Sequence, residues 1–101
     1  MKIIYSDESI ESLNQNLDFW IKKLRYSVEK AIEIRDRLLF RAESLSKNPG
    51  LGQLEESLEK LNQGHKRLVE GHCKIIYLVF EDYVYITDFF DTRQDPSKMK
   101  G

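Results

Sequence analysis

Six side chains in the last third of the sequence are equipped for chemistry: Lys66, Arg67, Lys74, Tyr77, Asp91 and Arg93. Four are cations set on or beside apolar stretches, where a sheet would present them to an anionic group on a partner. Tyr77 adds a phenol that both donates and accepts hydrogen bonds, and Asp91 adds a carboxylate two residues before Arg93. The neighbouring candidates read as structural. His72 falls in a turn and His65 just before a strand, and neither has Cys or carboxylate neighbours at metal-ligand spacing. Cys73 has only adjacent His72 as a base, whose side chain points to the opposite face, so it reads as an inert, partly buried thiol. Asp88 lies within an apolar strand and needs a partner, for which Arg67, Lys74 and Arg93 are the available cations. Gly50-Leu51-Gly52 follows a proline and lacks the lysine of a phosphate-binding loop. No metal and no cofactor is expected.

The elements that must position these groups follow from periodicity. Residues 2–5 read as a short strand. Ser6 or Asp7 can cap a helix over 7–25, whose apolar stripe is Ile10, Leu13, Leu17, Trp20, Ile21 and Leu24. Ser27 can cap a second helix, with Val28, Ala31, Ile32, Leu38, Leu39, Ala42 and Leu45 on its buried face and Arg35 at the edge. Asn48-Pro49-Gly50 ends it. About two residues separate the stripes, which predicts an antiparallel helical hairpin. Leu54, Leu58 and Leu61 suggest a helical turn or two before Gly64. Strands over 66–70, 73–80 and 83–90 then alternate with turns at Gly71-His72 and Glu81-Asp82.

If both turns hold two residues, Leu68, Ile75 and Asp88 share a row on one face, continued by Tyr77 with Ile86 and Val79 with Val84. The other face carries Arg67, Ile76 and Thr87, then Val69, Lys74 and Phe89. A slip of one residue exchanges the faces. The middle strand is apolar on both sides, whereas two helices cover one face only. Either the 51–64 loop and the aromatic residues cover the second face, or a concave apolar surface edged by Arg67, Lys74 and Arg93 awaits another protein.

Composition bounds the rest. A chain of 101 residues, 41% hydrophobic and 33% charged, fits one soluble α+β domain over 1–101. That domain comprises an N-terminal strand and a two-helix antiparallel hairpin packed on a small antiparallel sheet of three to four strands. No apolar run approaches the ~20 residues of a membrane span. The N-terminus lacks the apolar core of a signal peptide. A single cysteine suits a reducing cytoplasm. Sixteen basic against seventeen acidic residues give a net charge of −1, so no general attraction to free DNA is expected.

The order strand, helical hairpin, three-strand meander resembles the RelE/ParE superfamily of toxins from bacterial type II toxin–antitoxin systems. The residues that carry the resemblance are Arg67-Leu68-Val69 leading into Lys74-Ile75-Ile76-Tyr77, and the ending Ile86-Thr87-Asp88-Phe89-Phe90-Asp91-Thr92-Arg93-Gln94-Asp95-Pro96. The resemblance covers nearly the whole chain and implies a cytoplasmic protein neutralised by a cognate antitoxin that folds as it wraps the toxin. It implies two activities. RelE-like members cut mRNA on the ribosome without a metal, and Arg67, Lys74, Tyr77 and Arg93 would then be the catalytic set. ParE-like members inhibit DNA gyrase by protein–protein binding, with Lys66, Arg67, Lys74, Asp91 and Arg93 as binding residues. The position near the end of the last strand where many members have a histidine holds Asp91. An acid there repels phosphate, and the near-neutral charge is unusual for gripping ribosomal RNA, so the gyrase reading is preferred. A degenerate, non-toxic member that still binds antitoxin is the third reading.

Overall fold

Ser6 is the residue that starts the first helix. In the computed structural model, which describes residues 1–101, β1 (Lys2–Tyr5) ends at Ser6, whose hydroxyl accepts the Ser9 N–H at 3.0 Å and caps α1 (Asp7–Asp18). Such a cap contributes about 1 kcal/mol. The helix predicted over 7–25 does not stay α-helical. It continues as a π-helical turn, Phe19–Lys23, in which the Leu24 N–H reaches back to the Phe19 carbonyl. Trp20, within this wider turn, is fully buried, whereas Ile10 on α1 is exposed. Arg25, at φ 59°, reverses the chain, and Ser27 caps α2 (Val28–Ser44) through the Lys30 N–H at 3.1 Å. The buried ridge of α2 is narrower than its apolar residues suggest. Ala31, Leu38, Ala42 and Leu45 are buried, whereas Val28 and Ile32 face solvent.

The fold class is the α+β arrangement expected, but the sheet has five strands, not three to four, in the order β1-β5-β4-β3-β2. β1 runs parallel to β5 (Tyr83–Asp91). At the other edge β2 (Gln53–Leu54) pairs with β3 (Lys66–Glu70), and the rest of the 51–64 segment forms a 3-10 turn, Glu56–Leu61. β3, β4 (Cys73–Phe80) and β5 are joined by two turns of two residues each, Gly71-His72 and Glu81-Asp82. Glu81 adopts φ 54°, which lets an otherwise poor Glu-Asp pair close the hairpin.

Leu68 faces Ile75, Tyr77 faces Ile86 and Val79 faces Val84, as direct pairing predicts. Beyond Ile86 the expected rows fail. Ile76 faces Asp88, leaving Thr87 as an extra residue in a β-bulge. Phe89 therefore takes the place beside Ile75 that had been expected for Asp88. Asp88 moves to the opposite face beside Ile76, and Phe90 pairs with Lys74.

The face bearing Leu68, Ile75, Tyr77, Ile86 and Phe89 packs on Trp20 and the α2 ridge. The second face is covered in part. Leu58, Ile76 and Phe90 are buried there, outside the main core. A C-terminal tail with a 3-10 turn at Pro96–Lys98 crosses it, the Lys100 N–H donating to Asp88 at 2.9 Å and Gly101 resting on His65 and Leu61. The loop segment and the tail thus do much of the covering. The apolar surface left open is not the one edged by Arg67, Lys74 and Arg93. It lies towards the β4–β5 hairpin, where Phe80 is exposed and Ile4, Leu78, Tyr83 and Tyr85 are half-covered or exposed.

Candidate functional site

The β3–β4 register places Arg67 and Lys74 on one face, and a buried carboxylate gathers them. Glu55 caps the 3-10 turn through the Ser57 N–H at 3.0 Å, accepts Lys74 Nζ at 2.9 Å and lies 3.8 Å from Arg67 Nη1. Arg67 also donates to the Leu54 carbonyl at 2.6 Å. Burial alone would raise the Glu55 carboxyl, but the hydrogen bonds from Lys74 and Ser57 outweigh it and hold the group below its ordinary value. Both cations are therefore engaged by their own chain. Lys66 is half-buried on β3, opposite Tyr77 and Leu54, and makes no ion pair.

Tyr77 points to the other face and is fully buried. Its hydroxyl donates to the Pro49 carbonyl and accepts the Gly52 N–H, both at 2.9 Å. Burial pushes the phenol pKa up, against the smaller effect of the Gly52 hydrogen bond. Gly52 is required at this contact: a Cβ there would meet the Arg67 carbonyl at 2.4 Å and the Tyr77 hydroxyl at 2.6 Å. Tyr77 thus fastens the loop that follows α2, and it does not share a site with Arg67 and Lys74.

Arg93 sits at the far end of β5 in a third arrangement. Asp91 is fully buried and accepts four hydrogen bonds: Trp20 Nε1 at 2.8 Å, and the Arg93 backbone N–H, Nε and Nη2 at 2.9, 3.0 and 2.7 Å. Arg93 Nη1 continues to the Tyr26 hydroxyl at 3.0 Å, and Lys30 lies over the Tyr26 ring at 3.9 Å. Burial would raise the Asp91 carboxyl, but Arg93 and Trp20 together hold it below the usual carboxylate range. The Asp91 hydrogen bond likewise raises Arg93. This network ties the end of α1, the 24–27 loop and the end of β5 to one another.

The sequence signals for three of these partners were slight. Trp20 stood out only as a member of an apolar stripe, although its indole N–H needs a partner when buried. Tyr26 and Glu55 carried no signal. His65 is buried with neither ring nitrogen hydrogen-bonded, and burial pushes its pKa down. Asp88 does not pair with Arg67, Lys74 or Arg93 as expected. The bulge turns it beneath the tail, where it accepts the Lys100 amide and leaves Oδ1 without a partner. Burial pushes its carboxyl up, an effect the Lys100 amide only reduces. Cys73 is buried, and its thiol is pushed up to about 12 by burial and by Asp91, which makes it unreactive.

The six candidates thus fall into three separate arrangements. Arg67 and Lys74 meet at Glu55 with Lys66 nearby on β3, Tyr77 holds a loop, and Asp91 with Arg93 brackets the helix end. None pairs a free base with a free acid across a space where a substrate would sit.

A parallel edge strand, two helices and an antiparallel meander define a RelE/ParE-like α+β fold. The chromosomal ParDE TA system from P. aeruginosa, a solved structure, contains a chain of this fold, with a TM-score of 0.71 at 16% identity over 88% of this chain and 92% of that one. No protein-family model and no curated protein matches the sequence. No helix is long and apolar enough to cross a membrane.

Proposed function

We propose that the chain is the toxin of a type II toxin–antitoxin system, held inactive in the cytoplasm by a cognate antitoxin, and that it acts on DNA gyrase by binding. The fold shared with a chain of a ParDE TA structure supports the class. The choice of target rests on one observation: Arg67, Lys74, Tyr77 and Arg93 are each hydrogen-bonded within their own chain and are divided between two sheet faces and a strand end. Metal-free RNA cleavage requires a base for the 2′-hydroxyl and an acid for the leaving oxygen beside the cations. Binding to a protein requires neither. The test adds purified protein to a gyrase supercoiling reaction and, separately, to ribosomes translating a reporter mRNA. Blocked supercoiling with intact mRNA is expected. Cleaved mRNA with normal supercoiling overturns the gyrase assignment, and no effect in either assay, with no growth arrest on expression, removes the toxin assignment.

A further inference from the structure

Acidic and basic residues nearly cancel over the whole chain, yet one groove collects lysines on both of its banks. It runs between α1 with its π-helical turn and the C-terminal tail, and encloses about 860 Å³. Lys22 and Lys23 stand on the helical bank, and Lys98 and Lys100 on the tail. The π-helical turn contributes Phe19, Lys22 and Lys23 together, a local distortion that recurs at functional sites. The width is fixed from within: Gln94 Nε2 donates to Asn16 Oδ1 at 3.1 Å, and Asn16 Nδ2 donates to the Phe89 carbonyl at 2.8 Å. Three carboxylates also line the groove, each with at least one oxygen engaged within the chain. Asp18 lies 4.0 Å from Lys22, Asp95 accepts the Ser97 N–H at 3.0 Å, and Asp88 accepts the Lys100 amide. Lys23, Lys98 and Lys100 make no ion pair.

We propose that this groove holds an extended acidic segment of a partner protein, with carboxylates on the lysines of both banks and an apolar side chain against Phe19. The proposal rests on the protein-binding reading above and adds the place and the chemistry of the contact. From Ser12 to Lys23 the helical bank is roughly 16 Å long at ~1.5 Å per residue. That matches about five residues of extended peptide at ~3.3 Å each. The lining argues against single-stranded nucleic acid. Phe89 and Phe90 are buried, which leaves Phe19 alone as a stacking surface, whereas such ligands stack successive bases.

The experiment selects peptides from a random display library on the full-length chain and measures their binding by fluorescence anisotropy. Enriched peptides should alternate acidic and apolar residues. Their affinity should fall with added salt and drop roughly tenfold or more in a Lys22→Glu/Lys98→Glu double variant, because reversed charges repel the same acids. A Lys47→Glu variant, in the exposed turn after α2 and outside the groove lining, should bind as the parent does, and unchanged unfolding midpoints show that all three chains are folded. The proposal is overturned if no peptide is enriched, if the enriched peptides are not acidic, or if the double variant binds them equally well. Displacement of the peptides by a single-stranded RNA oligonucleotide at equal concentration also overturns it. The supercoiling assay is read independently. A chain that blocks gyrase but selects no acidic peptide refutes the groove alone, and acidic-peptide binding by a chain inert in both assays refutes the function alone.

Discussion

Replacing Asp91 with Asn keeps the volume of the side chain and removes its charge, which isolates what the carboxylate does. All four of its hydrogen bonds come from donors: two to Oδ1, from the Arg93 backbone N–H and Nε, and two to Oδ2, from Trp20 Nε1 and Arg93 Nη2. An amide can accept at one end only. Whichever way Asn is turned, its NH2 faces two donors, so at least two charge-assisted hydrogen bonds are lost and a buried clash is created. At about 1.5–3 kcal/mol for each such bond, the cost is about 3–5 kcal/mol, in the range measured when one partner of a buried pair is removed. A small domain has about 5–15 kcal/mol in total, and each kcal/mol moves the midpoint of a chain this size by about 4–8 °C, so Asp91→Asn should melt roughly 12–40 °C lower. Circular dichroism thermal scans and urea titrations measure this directly. The pH dependence carries an independent sign. Asp91 titrates below its ordinary value in the folded chain, so its contribution is complete above the unfolded carboxylate pKa and is lost as pH falls through the lower, folded value. The parent should therefore lose more stability than the variant on acidification below about pH 4. A double-mutant cycle with Trp20→Phe should show coupling, since both changes remove the same Nε1 contact. A midpoint within ~5 °C of the parent, or additive single effects, would refute the bracket as the device that holds the helix end to the sheet.

Three further outcomes follow from other contacts. Tyr77→Phe deletes a hydroxyl that satisfies both Pro49 and Gly52, so stability should fall by about 1–3 kcal/mol and the Gly52 amide should lose hydrogen-exchange protection, with growth arrest unchanged; loss of arrest at unchanged stability would instead make Tyr77 catalytic. Gly52→Ala places its Cβ against backbone at 2.4 Å, so it should destabilise by roughly 1–3 kcal/mol in urea unfolding, and a neutral result would mean the loop has room to shift. His65 titrates below its ordinary value of 6.5 because of burial, so the folded chain binds fewer protons and stability should decline as pH drops below 6.5; His65→Phe should flatten that slope, and an NMR titration of the imidazole midpoint at or above 6.5 would contradict it.

The elements that local chemistry dictates were readable in advance. Ser6 and Ser27 cap where their hydroxyls allow, and Gly71-His72 and Glu81-Asp82 each close a two-residue turn. What escaped was set by tertiary contacts. The π-helical turn at Phe19–Lys23 leaves no trace in the apolar spacing, because Trp20, Ile21 and Leu24 fit an α-helix equally well. The Thr87 bulge is silent for a related reason: Thr87-Asp88 mixes a polar and a charged residue, and either phase puts one of them inside. That unseen residue displaced the site expectations most. It sends Asp88 beneath the tail and Asp91 beneath Trp20, so an acid that looked like an obstacle to phosphate chemistry is instead a structural anchor. The pairing of β1 with β5 was also hidden, since four residues do not reveal which distant strand they will join.

That pairing bears on when the fold can close during synthesis. Tyr5 lies beside Ile86, so β1 finds its neighbour only after about eighty more residues have been made. At ~5–20 residues per second this is a wait of several seconds, during which α1 and α2 have no completed sheet to pack against. The Asp91–Trp20 bracket comes later still, joining one of the last strand residues to one of the first helix. A nascent chain therefore cannot complete its sheet, or cover the apolar faces of its two helices, until β5 has been made.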